Sequence, residues 1–251
     1  MSDAEPVKVP ESAPPGSATR PPGHVRRLYE EEWKAWRTHY RRYFKYAARA
    51  LGLGFVAGFL YFMIWPAREM KALAFVVKSL EDIPLEAAPL VLSLTLFFHN
   101  ARASVIAMAA GAVPFLFLPI LDPLINGGAL GLICSVAKHQ GLNVPHLVMT
   151  QILPHGVFEL AAALYATSVG LYLSMSLGKA AVARWRRWKG RRAEGNRPVS
   201  VSPDFPQNIP ERVSGEPGSL VRDAVRSFVL VVLPLLLVAA FIEGFITPNL
   251  R

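Results

Sequence analysis

The chain has 251 residues, 52% of them hydrophobic, a formal net charge of +9 and one cysteine. The lone Cys134 excludes a disulfide framework, and charges that avoid several long apolar runs but crowd the stretches between them exclude an ordinary soluble domain. The basic blocks at 20–49 and 179–197 adjoin apolar runs, so they read as a surface for anionic lipid and not for nucleic acid.

Residues 1–23 are rich in Pro, Ser, Ala and Gly without apolar periodicity and are expected to be a disordered tail, with no secretory leader. Over 24–46 the aromatics Tyr29, Trp33, Trp36, Tyr40, Tyr43 and Phe44 recur at helical spacing. This predicts an amphipathic helix at the headgroup level, or alternatively one packed on another protein segment. The first span is expected at 47–65, smoothed by Gly54 and Gly58. Met70, Leu73 and Val77 then suggest a surface-lying helix. The run 90–98 is too short to cross and is expected to be interfacial.

His99-Asn100-Ala101-Arg102 interrupts the apolar pattern, and the second span is placed at 103–121, about 28 Å long. The third, 124–137, reaches only about 21 Å, so Asn126-Gly127-Gly128 is expected to be non-helical backbone shielded by neighbours. The apolar run 146–177 exceeds one crossing. Pro154 and Gly156 are the expected break, leaving a span at 157–177. A flexible linker is expected within 179–224, and a last span at 228–246 with a kink at Pro234. The fold class is therefore an all-α polytopic transmembrane bundle of about five spans with broken or interfacial helices, the transmembrane domain covering 47–250.

Lys and Arg number ten in 1–49 and ten in 179–224, but three in 66–100 and one in 138–145. The positive-inside rule puts the first two segments in the cytoplasm and the others outside. The expected protein is thus multi-pass in the cytoplasmic membrane, N-terminus inside and C-terminus outside. That topology brings Asn100, Arg102, His155, Glu159 and Glu243, from three spans, to one depth near the outer side. Asp122 and Asn126 fall at the inner side.

Ionisable residues inside a membrane are functional suspects. His155 and Glu159, four apart, share one helical face. Three readings stay open: a polar network that fixes helix packing, a metal or proton site, or the lining of a transporter built on broken helices, which five spans would complete only as a dimer. No cofactor and no metal site is expected, because a His-x-x-x-Glu spacing alone falls short of the three or four ligands zinc requires. The H-E-x-x-H and G-x-S-x-G signatures are absent, and no catalytic residue is assigned.

Three blocks resemble the stage II sporulation protein M family: Phe98-His99-Asn100-Ala101-Arg102, Leu153-Pro154-His155-Gly156-Val157-Phe158-Glu159-Leu160, and Ala239 to Pro248, which contains Glu243-Gly244. Asn126-Gly127 fits the family's asparagine-glycine pair. His99 departs from it, since an asparagine is usual there. The resemblance implies an integral cytoplasmic-membrane protein that works with peptidoglycan-degrading or other envelope partners. Membrane lipid is an expected partner of the spans themselves, and a homo-oligomer is expected on the transporter reading. The resemblance supplies no catalytic residue.

Overall fold

The computed structural model describes residues 23–78, 88–193 and 217–247. Residues 1–22 of the expected tail and 194–216 of the expected linker lie outside them. The described chain is helical, with no strand among the described residues. Five helical runs are long and apolar enough to cross a membrane: His24–Ile64, Pro89–Ala110, Leu118–His139, Val144–Lys189 and Gly218–Ile246.

The first run joins α1 (His24–Ala35), a π-helical turn at Trp36–Tyr40 and α2 (Arg41–Ile64). Trp65 leaves helical geometry, Pro66–Arg68 makes a 3₁₀ turn, and α3 (Glu69–Lys78) follows. The second crossing, α4, spans Pro89–Ala110, about 33 Å. This corrects the expected placement at 103–121 and absorbs the 90–98 segment that was expected to lie at the interface. The reason is local. His99-Asn100-Ala101-Arg102 lowers hydropathy but tolerates helix, whereas Pro114 pushes the residue before it out of helical geometry. The chain then turns with Phe115 and Phe117 at φ +70° and +47°, left-handed values that bulky residues adopt only when packing imposes them.

The third crossing, α5 (Leu121–His139), is unbroken through Asn126-Gly127-Gly128, contrary to the expected irregular backbone. Its glycines serve packing instead. A Cβ at Gly58 would sit 2.6 Å from the Gly128 carbonyl oxygen, and one at Gly131 would meet the backbone of Phe55 and Phe59. Gly54 and Gly127 likewise abut the backbones of Leu124 and Leu51, so α2 and α5 touch main chain to main chain. Such contact offsets the poor helix propensity of glycine.

The expected break at Pro154 is also absent. α6 (Val144–Leu147), a π turn at Val148–Ile152 and α7 (Leu153–Ala193) form one continuous run, so the first part of the expected linker is helix. A proline ring clashes with the preceding turn of a regular helix, and a widened turn just before it relieves that clash. The same device recurs at Pro234, where α8 (Pro217–Ser227) passes through a π turn at Phe228–Val232 into α9 (Leu233–Phe241). A further π turn, Ile242–Ile246, closes the described chain.

α7 is the central helix: 56% of its apolar window is buried, against 17% for the first run and for α4. It turns small residues inward, with Ala162, Ala166, Thr167, Ser168 and Ser174 fully buried. The core gathers Tyr40, Ala101, Met108, Tyr165, Val169, Val232 and Leu236 from the N-terminal run, α4, α7, the π turn at Phe228–Val232 and α9. Trp36 stacks on Tyr165 (5.4 Å between centroids) and His39 on Tyr172 (4.8 Å), and Tyr40 meets both tyrosines edge-on. The aromatic stripe is therefore divided. Trp36, Tyr40 and Tyr43 pack on the bundle with Phe44 half-buried edge-on to Trp36, while Tyr29 and Trp33 stay half exposed or more.

Candidate functional site

α4, α7 and the π turn after α9 meet at His155, Glu159 and Glu243. His155 Nε2 lies 2.8 Å from Glu243 Oε2, with side-chain exposures of 15% and 28%. One ligand atom from each of His155, Glu159 and Glu243 falls within 4.8 Å of the others. Asn100, from α4, lies beside Glu159.

Each element contributes for a local reason. His155 and Glu159 are one turn apart on α7, so their side chains stack along one face. Glu243 sits inside a π turn, followed by Gly244, where a Cβ would strike Ser93 and lie 2.7 Å from the Pro89 carbonyl oxygen. The missing side chain lets this turn press against α4 and brings Glu243 to His155. His155 stands eleven residues from Val144, and Asn100 eleven from Pro89. Both are therefore about 16 Å along their helices from the ends, within runs long and apolar enough to cross a membrane. A carboxylate there needs a partner.

Not all the residues expected at this depth join the cluster. Arg102 and His99 lie on the exposed face of α4. Positions two apart on a helix differ by about 200°, so Asn100 and Arg102 cannot face the same way. Asp122 and Asn126 sit near the start of α5, with Asn126 Nδ2 donating to Asp122 Oδ1 at 3.4 Å. They form a local pair apart from the cluster.

A second buried polar site was not anticipated. Glu32, 3% exposed, accepts hydrogen bonds from Tyr165 Oη (2.6 Å), Ser227 Oγ (2.6 Å) and Arg226 Nε (2.9 Å). It ties the N-terminal helix to α7 and α8. The signal was present in the sequence: Glu32 falls between Tyr29 and Trp36 at helical spacing, on the face of the aromatic stripe. A third site joins Glu69 to Ser135 Oγ (2.6 Å) and His139 Nδ1 (2.9 Å), fastening α3 to the end of α5. On the N-terminal run, Arg37, Thr38, His39, Arg41, Arg42 and Lys45 line an open basin of about 260 Å³.

The three sequence blocks, far apart along the chain, thus supply Asn100, His155 with Glu159, and Glu243 to one place. No curated protein and no solved structure matches the chain. The family described as stage II sporulation protein M matches residues 47–248, leaving α1 and its π turn outside the match. The chain belongs to the stage II sporulation protein M family and is a multi-pass membrane protein.

Proposed function

We propose that this chain is a non-enzymatic component of the cytoplasmic membrane that assembles with, or localises, proteins remodelling the cell envelope and its peptidoglycan. The observation that carries this reading is the mutual engagement of the cluster's polar groups. His155 is engaged by Glu243, and Glu159 lies beside Asn100, an arrangement suited to holding three helices in one geometry. Family membership supports the same reading. The orientation that follows from charge places the N-terminus and the basic basin in the cytoplasm, against anionic headgroups, and the His-Glu-Glu cluster toward the outside. Cross-linking in native membranes followed by mild purification should recover envelope-remodelling proteins bound to the chain. Peptidoglycan degradation by the purified chain alone, lost in Glu159→Gln, would overturn the proposal.

A second reading, a small-solute or ion transporter, is favoured by the titratable cluster, whose His155 lies about 16 Å from its helix end. Proteoliposome flux separates the two. Flux abolished by Glu159→Gln would select the transporter.

A further inference from the structure

We infer that His155, Glu159 and Glu243 bind a divalent first-row metal ion of the zinc class. The inference goes beyond the assembly role and does not depend on it. Two observations carry it: the donor geometry and the charge left among apolar helices.

The donors are one imidazole and two carboxylates from two separate helical elements, with ligand atoms mutually within 4.8 Å. Zinc takes nitrogen and oxygen donors at about 2.0–2.2 Å, which puts tetrahedral ligands about 3.3 Å apart. His155 Nε2 and Glu243 Oε2 are at 2.8 Å, near the spacing of two donors on one ion. The mixed donor set suits zinc and its neighbours better than calcium or magnesium, which take oxygen alone.

The charge argument is independent of distance. Two carboxylates share the cluster with a single imidazole. Even with that ring protonated, ionised Glu159 and Glu243 leave a net negative charge among apolar helices. Arg102 of α4 lies on the exposed face, away from it. Such a charge must be met by a cation or removed by a proton.

The histidine ring offers its Nε2 to the ion. With Nε2 engaged by Glu243, Nδ1 is buried and has no hydrogen-bond partner. A neutral ring with its proton on Nδ1 carries the Nε2 lone pair toward the carboxylates, where an ion would sit. Zinc in this place would neutralise the carboxylates and tie the π turn after α9 to α7.

The test uses the full-length chain in detergent, with any histidine tag removed and metal stripped by chelator. Zn²⁺ is titrated calorimetrically, bound metal is measured by elemental analysis, and Co²⁺ is added as a spectroscopic probe. Expected are about one zinc per chain, visible Co²⁺ absorption of a nitrogen- and oxygen-ligated ion, and a zinc-dependent rise in melting temperature. Glu159→Gln/Glu243→Gln, which preserves side-chain volume, should weaken zinc affinity at least 100-fold while keeping its gel-filtration profile. His155→Asn provides the second variant if the double one does not fold. Equal zinc affinity in the wild type and a folded variant overturns the inference. So does an infrared band of a protonated carboxyl that persists at saturating zinc, which would assign the charge balance to a shared proton.

Discussion

Replacing Gly58 by alanine tests whether backbone contact between α2 and α5 holds the first half of the bundle together. The added Cβ would lie 2.6 Å from the Gly128 carbonyl oxygen and 2.9 Å from its Cα. An ordinary carbon–oxygen contact is about 3.4 Å, so the seam must open by roughly 0.8 Å. Overpacking of this kind costs about 1–3 kcal/mol, against a helix-propensity gain of about 1 kcal/mol for Gly→Ala. The control is Gly52→Ala on the same helix, where nothing lies within 4 Å of the new atom and only the propensity gain operates. The two variants should differ by about 2 kcal/mol, roughly 30-fold in the folded-to-unfolded ratio, with Gly58→Ala the less stable. Equilibrium unfolding in mixed micelles reads the difference. Equal stability, or a Gly58→Ala protein more stable than Gly52→Ala, would refute the close seam.

Glu32→Ala removes the acceptor shared by Tyr165, Ser227 and Arg226 and should cost about 3 kcal/mol in the same assay, whereas Glu31→Ala, on a side chain 60% exposed, should cost under about 1 kcal/mol. In a Cys134→Ala background, cysteines placed at Phe75 and Leu142 should be labelled by an impermeant reagent in intact cells, and one at Ser200 only after lysis; labelling of 200 in intact cells would reject the proposed orientation. Converting Arg37, Arg41 and Lys45 to glutamine should weaken binding of anionic lipid to the detergent-solubilised protein, measured by native mass spectrometry, and weaken it less at high salt, where screening already suppresses the contact.

Hydropathy located five crossings because transfer of apolar surface out of water depends on composition over a window, which the linear chain carries. It misplaced the second crossing because it weighs His99 to Arg102 by polarity, while the helix end is set by Pro114 and the left-handed turn beyond it. Pro154, Gly156 and Asn126-Gly127-Gly128 carried the ordinary marks of a break. What removed the break was neighbouring structure: a π turn ahead of the proline, and the backbone of α2 lying against the glycines. Arg102 shared a depth with Asn100 but not a direction, and depth alone follows from topology.

The sequence by itself determined the all-α membrane class, the family, and the three blocks that supply Asn100, His155 with Glu159, and Glu243, because side-chain chemistry and local spacing are properties of the chain. Only the tertiary structure decided that these blocks meet. It also decided that His155 pairs with Glu243 from a helix nearly ninety residues away, and that Glu32 is an internal anchor. Contacts between helices depend on how closely their backbones approach. That distance is set jointly by small residues on both partners, so no single stretch of sequence contains it.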